Sequence, residues 1–125
     1  MAKILLIEDE ESLRTLYSRI LASRNYIVET AENGQEALMK LNEFRPDLIV
    51  LDIVMPGYNG MEFLKILKNN EELKVVPVLM LSAVSEITKI RECLDMGAVG
   101  YITKESAVDE IVQKLNLVLD SFRFN

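Results

Sequence analysis

At 125 residues the chain suits one domain of ordinary size, and area scaling has it bury about two-thirds of its surface on folding. Half of its residues are apolar, 27% are charged, and it has only five Gly and three Pro, which excludes a disordered or collagen-like chain. It has no histidine, one cysteine and a formal charge of −6. Those counts exclude a Ser-His-Asp triad, a Cys-His pair, a histidine-bound zinc and an internal disulfide, and they disfavour nucleic-acid binding. No apolar run approaches the ~18 residues of a membrane helix, and the short run after Met1-Ala2-Lys3 is no secretory signal. A cytoplasmic location without a membrane partner is expected.

The predicted elements alternate along the chain. Ile4-Leu5-Leu6-Ile7 is an unbroken apolar run of four, as a strand buried on both faces of a parallel sheet requires. Leu13, Leu16, Tyr17, Ile20 and Leu21 then form the stripe of an amphipathic helix. Tyr26-Ile27-Val28-Glu29-Thr30 is more mixed and reads as an edge strand. Asn33 ahead of Gly34 opens a second helix carrying Ala37, Leu38, Leu41 and Phe44. Leu48-Ile49-Val50-Leu51 repeats the buried-strand pattern, and Asn59 ahead of Gly60 starts a helix with Met61, Leu64 and Leu67.

Val78-Leu79-Met80-Leu81 is the fourth strand. Ile87, Ile90 and Leu94 mark the fourth helix, Gly97 stops it, and Cys93 within it reads as a packing residue. Ala98 to Thr103 gives a fifth strand. Ser106, with Asp109 three positions on, caps a last helix striped by Val108, Ile111, Val112, Leu115 and Leu119. Ser121 to Asn125 carry Phe122 and Phe124 past that stripe, as a docked end or the stump of a linker. Five strands and five helices in strict alternation give an α/β fold, a parallel sheet covered by helices on both faces. Residues 1–125 read as one domain without repeat or linker.

In an open parallel sheet, ligands gather at the carboxyl ends of the strands. The first strand ends in Glu8-Asp9-Glu10, the third in Asp52, the fourth in Ser82 and the fifth in Thr103-Lys104. Acids thus cluster on two strands that are neighbours in most doubly wound orders. Two carboxylates ~4 Å apart repel by about 4 kcal/mol at an effective dielectric of roughly 20, so the cluster wants a counter-charge. Hard oxygen donors suit Mg²⁺, and Lys104 adds a second positive group. An aspartate beside Mg²⁺, a lysine and a hydroxyl is an arrangement for accepting a phosphoryl group. Taken singly, each residue has an ordinary role. Glu10 suits a helix dipole, Ser82 or Ser85 would cap the fourth helix, and Lys104 would be solvated. Four polar strand ends on one edge are harder to explain in that way.

The segments ILLIEDE at 4–10, DLIVLDIVMPGYNG at 47–60, LMLSA at 79–83 and GAVGYITK at 97–104 resemble the response-regulator receiver domains of two-component signalling. The resemblance spans essentially the whole chain. It implies a flavodoxin-like doubly wound (βα)5 sandwich with strand order 2-1-3-4-5, an order that periodicity alone does not give. It also implies Asp52 as phosphoacceptor, and Asp9 and Asp52 as direct ligands of Mg²⁺ or Mn²⁺ with the Val54 backbone carbonyl as a third. Glu8 stands where the family usually has an Asp acting through a metal-bound water. Ser82 stands at the hydroxyl switch, Tyr101 at the aromatic switch, and Lys104 at the family's lysine.

The implied donors are a sensor histidine kinase, a phosphotransfer protein or a small-molecule phosphodonor. The implied output runs through the fourth helix, fifth strand and fifth helix to a downstream protein or a fused effector domain. Such a chain assists its own phosphorylation and dephosphorylation but is no enzyme with a turned-over substrate. Without histidine it cannot itself be the phosphohistidine donor.

Three departures carry expectations. Glu8 keeps the charge of Asp on a side chain one methylene longer. Glu105 stands where many members have proline, and a non-proline cis bond costs about 3–4 kcal/mol, so a trans Lys104–Glu105 peptide is expected. Val54 and Val84, each two residues past a key site, replace frequently polar residues; neither can orient an attacking water, so a long-lived aspartyl phosphate is expected. Two rivals stand beside this reading. A binding module with a vestigial pocket would not need Asp9, Asp52, Ser82 and Lys104 together. An Mg²⁺-dependent phosphatase using Asp52 as nucleophile would want an acid where Val54 stands.

Overall fold

Each unbroken apolar run becomes a strand whose successive residues enter two different packed layers, so no position along it tolerates a polar side chain. The computed structural model describes residues 1–55 and 57–123; Pro56, Phe124 and Asn125 of the motifs above lie outside the described residues. In chain order the elements are β1 (Lys3–Ile7), α1 (Glu11–Ser23), β2 (Ile27–Ala31), α2 (Gly34–Leu41), β3 (Leu48–Leu51), α3 (Gly60–Lys68), β4 (Val78–Ser82), α4 (Ile87–Asp95), β5 (Gly100–Thr103) and α5 (Val108–Arg123). All strand pairs are parallel, in the order β2-β1-β3-β4-β5 that the resemblance implies.

The path across the sheet reverses once, after β2. Right-handed crossovers then place α1 and α5 on one face and α2, α3 and α4 on the other. Leu5, Ile7, Ile49, Leu51 and Met80 meet Leu41, Phe63, Leu64, Leu67 and Cys93 in one layer. Ile4, Leu6, Val50, Leu79 and Leu81 meet Tyr17, Leu21, Ile111, Leu115 and Leu119 in the other. Cys93 is fully buried, a packing residue as expected.

The two asparagine caps are present. Asn33 Oδ1 accepts from the Glu36 N–H at 2.8 Å. Asn59 Oδ1 accepts from the Glu62 N–H at 2.9 Å while Glu62 Oε1 accepts from the Asn59 N–H at 3.2 Å, a reciprocal pair. Other boundaries shift for local reasons. Asn25 sits at φ 70°, and Tyr26 donates its N–H back to the Leu21 carbonyl, so Ile27 is the first residue free to pair in β2. Gly97, at φ 105°, and Ala98 donate to the Leu94 and Cys93 carbonyls in the same kind of closure, so β5 begins at Gly100 rather than Ala98.

Ser106 does not cap α5, which starts at Val108; its hydroxyl lies 3.4 Å from that of Thr103. Neither Ser82 nor Ser85 caps α4, whose N-cap is Glu86. The expected α4 stripe is also rotated: Ile87 is 71% and Leu94 44% exposed, and the buried line runs through Cys93. In α1, Leu16 is likewise on the outside. Phe122 is exposed in the last turn of α5.

Candidate functional site

The strand register determines which residues share the carboxyl edge. Ile7 pairs with Leu51, so Glu8 and Asp52 leave β1 and β3 side by side. Ser82 pairs with Thr103, so Lys104 leaves β5 beside the end of β4. Backbone bonds continue the ladder past the strands: the Glu8 N–H donates to the Ala31 carbonyl at 3.0 Å and the Lys104 N–H to the Ser82 carbonyl at 2.9 Å. These short extensions aim the side chains inward. Glu8, Asp52 and Ser82 are the buried polar or charged residues among those described.

Lys104 joins the two buried acids. Its Nζ lies 2.5 Å from Glu8 Oε1 and 2.7 Å from Asp52 Oδ2. The Lys104–Glu105 peptide is trans, as expected, and the amine arrives by side-chain reach. The second oxygen of each acid meets a backbone donor. Asp52 Oδ1 accepts from the Val54 N–H at 3.3 Å, and Glu8 Oε2 accepts from the Glu10 N–H at 3.1 Å. Asp9 is exposed, yet oxygens of Glu8, Asp9 and Asp52 lie within 4.8 Å of one another.

Three carboxylates around one ammonium leave an excess of negative charge. Burial pushes the Glu8 carboxyl above its ordinary value, and the hydrogen bond from Lys104 only partly opposes it. Burial alone would lower the Lys104 ammonium; its hydrogen bonds to Asp52 and Glu8 more than offset that, and the net direction is upward. Lys104 is therefore firmly charged. The donors are hard oxygens with room for a further positive charge, which fits an ion such as Mg²⁺.

Ser82 and Tyr101 converge on one residue. Ser82 Oγ accepts from the Val84 N–H at 3.3 Å, and the Tyr101 hydroxyl donates to the Val84 carbonyl. Tyr101 is half-buried, and burial raises its phenol above the ordinary value. Its hydroxyl is thus tied to the β4–α4 connection rather than simply solvated. Val84 itself packs against the layer beneath α4, whereas Val54 is 61% exposed at the mouth of the acid pocket.

Gly60, read in the sequence only as the start of a helix, and Arg14, which sequence reasoning passes over, also shape the site. A Cβ on Gly60 would lie 2.0 Å from the Asp52 carbonyl oxygen, and the Gly60 N–H donates to the Ile53 carbonyl at 2.6 Å. Only glycine lets α3 begin this close to the end of β3. Arg14 Nη1 donates to the Glu8 carbonyl at 2.9 Å and to the Asp9 carbonyl at 3.3 Å. Its one sequence signal is a cation one helical turn past the acid run, which ordinarily marks a solvated face.

Residues 4–116 match the response regulator receiver domain. The chain is 35% identical over 127 residues to response regulator GacA of Pseudomonas syringae pv. syringae (strain B728a), covering 99% of this chain and 58% of that protein. It thus spans about half the length of the curated relatives it matches. Among solved structures, chemotaxis protein CheY4 of Vibrio cholerae is 36% identical with a TM-score of 0.88, covering 94% of this chain and 98% of that one. The BeF3-activated N-terminal receiver domain of Klebsiella pneumoniae RstA is 28% identical with a TM-score of 0.87, covering 94% and 97%. Fold, strand order and a family match over nearly the whole length agree: the chain belongs to the response regulator receiver domain family of two-component signalling.

Proposed function

We propose that Asp52 accepts a phosphoryl group from a histidine kinase or phosphotransfer protein, or from a small-molecule phosphodonor, and that residues 1–125 act as one receiver domain in the cytoplasm. The observation that carries this reading is the surroundings of Asp52. It is a buried carboxylate held by Lys104 on one oxygen and by the Val54 N–H on the other, with acid oxygens of Glu8 and Asp9 alongside. Asp9, Asp52 and the Val54 carbonyl would hold Mg²⁺ or Mn²⁺, with Glu8 acting through a water. When bound, the ion offsets charge on the transferring phosphoryl oxygens. An Asp52 oxygen bonds to phosphorus as the donor's P–N bond breaks, or the P–O bond of a small acyl phosphate, and the bonding pair leaves with the donor. Lys104 exchanges its Asp52 contact for a phosphoryl oxygen.

The output follows from Val84. When the Ser82 hydroxyl turns to a phosphoryl oxygen it releases the Val84 N–H, and Tyr101, bonded to the same residue's carbonyl, repacks. The face of α4, β5 and α5 then presents a different surface to a downstream protein or fused effector domain. Taking an inactive-to-active ratio from 99:1 to 1:99 needs about 5.5 kcal/mol, within reach of two or three charge-assisted hydrogen bonds. The domain assists its own phosphorylation and dephosphorylation and turns over no separate substrate. Among the described residues no helix is long and apolar enough to cross a membrane.

Beryllofluoride added with Mg²⁺ tests the reading. Amide NMR shifts are expected at residues 8–10 and 52–54 and onward from Ser82 to Ile111, and Ser82→Ala should confine them to the acid pocket. No response at all would mark the pocket as vestigial. A response confined to the pocket in the unmodified protein would leave phosphate binding without transmission.

A further inference from the structure

We propose that Arg14 is a positioning residue for the cation site, holding the loop between β1 and α1 so that the Asp9 carboxylate faces Asp52; this rests on the reading of the acid cluster as a divalent-cation site. The three acids of that cluster are held differently. Glu8 and Asp52 are buried, and each has Lys104 on one oxygen and a backbone N–H on the other. Asp9 is exposed, and its carboxylate has no side-chain tether among the described residues. The direction of its Cα–Cβ bond, and so the reach of its carboxylate, is therefore determined by the loop backbone.

Arg14 holds that backbone. From the first turns of α1 its guanidinium reaches back, with Nη1 shared between the Glu8 and Asp9 carbonyls at 2.9 and 3.3 Å. Its Nη2 lies 4.0 Å from Glu32 Oε2, just past β2, and the Arg14 side chain is 19% exposed. Glu10, the N-cap of α1, makes no side-chain capping bond. Its N–H goes to Glu8 Oε2 at 3.1 Å and its carboxylate accepts from the Ser12 hydroxyl at 3.0 Å, and neither contact engages the Asp9 carbonyl. The planar guanidinium holds the N–H donors of Nη1 in fixed directions toward two successive carbonyls, whereas a lysine ammonium's donors rotate on a flexible stem and fix the peptides less firmly. Electrostatics alone argues against a fixed positive charge so close to a cation site. Its presence there is accounted for by what it orients.

Charge and geometry make opposite forecasts, so Mg²⁺ alone is a sufficient probe. Amide-shift titrations with Mg²⁺ at fixed pH and ionic strength would compare the unmodified protein with Arg14→Lys, Arg14→Gln and Glu32→Gln. Apo spectra that match at β3 and β4 would establish that each variant is folded. Both Arg14 variants are expected to bind Mg²⁺ about tenfold more weakly, the size of loss seen when an outer partner of a metal ligand is removed. Glu32→Gln should stay within about twofold, because that carboxylate touches the guanidinium only at its edge. A loss under about threefold in Arg14→Lys, or tighter binding by Arg14→Gln, would overturn the assignment and leave Arg14 a local charge. If the unmodified protein shows no Mg²⁺ response, the cation-site reading itself fails, and the role of Arg14 with it.

Discussion

At the end of β3 the chain changes its chemistry from one residue to the next. Leu48, Ile49, Val50 and Leu51 are at most 2% exposed and wholly apolar, and Asp52, at 4%, is nearly as buried. Burial therefore does not separate the strand bodies from the strand ends; what separates them is whether burial stabilises. In the bodies each side chain leaves water for a packed layer and contributes on the order of 1.5–3 kcal/mol. At the ends, buried carboxylates depend on one lysine and a few backbone donors, and their mutual repulsion remains. A fold selected for stability alone would place apolar residues there. The carboxyl edge keeps charge ready for something that arrives.

That contrast can be broken first in the body. Phe63, fully buried under the sheet, should cost about 3–5 kcal/mol when changed to Ala, read as a lower denaturation midpoint. The seam between the two regions should cost less. Gly60→Ala is expected to lose about 1–3 kcal/mol by overpacking against the Asp52 carbonyl, and to slow labelling by a phosphodonor because Asp52 is displaced.

At the edge the sign should reverse. Asp52→Asn removes one charge from the cluster and is expected to gain about 1 kcal/mol at neutral pH, the relief of repulsion exceeding the lost ionic hydrogen bond to Lys104. The pH dependence follows from Glu8, whose carboxyl is raised first by burial, against the opposing effect of Lys104, and further by the charge of Asp52. A raised folded value means that the neutral form favours the fold: that contribution is complete below the ordinary 4.5 and is lost as pH rises through the raised value. The advantage of Asp52→Asn should accordingly narrow as pH falls and Glu8 takes up its proton. A loss of stability in Asp52→Asn at neutral pH would remove the contrast.

The smallest effect expected concerns lifetime rather than folding. Val54→Asn and Val84→Glu should each change the decay of the phosphorylated form, because a polar side chain at either place can orient water where valine cannot. Decay followed by mass after removal of the donor checks this. Identical rates in all three proteins would show that exposure of the phosphoryl group alone governs hydrolysis.

Much of the fold and of the site is legible in the residues themselves, for identifiable reasons. Strands buried on both faces need unbroken apolar runs, so Ile4–Ile7, Leu48–Leu51 and Val78–Leu81 declared themselves. Polar residues that end such runs stand out, which is how Glu8, Asp52, Ser82 and Lys104 came to notice. The parts that escaped act through the backbone. Arg14 and Gly60 contact carbonyls, and carbonyls are the same in every residue, so no side-chain pattern reports them. The starts of β2 and β5 moved because Tyr26 and Ala98 give their N–H groups to the preceding helix end. The rotated face of α4 escaped because Cys93 is small, and the larger Ile87 and Leu94 outweighed it in the periodicity.

The most direct test of the central claim, that the charged edge exists so that Asp52 can accept a phosphoryl group, is intact-mass spectrometry after incubation with acetyl phosphate. With Mg²⁺ present the protein should gain the mass of one phosphoryl group, and it should gain none when the cation is chelated or when Asp52 is changed to Asn. Undiminished labelling in Asp52→Asn, or labelling indifferent to the cation, would contradict the account.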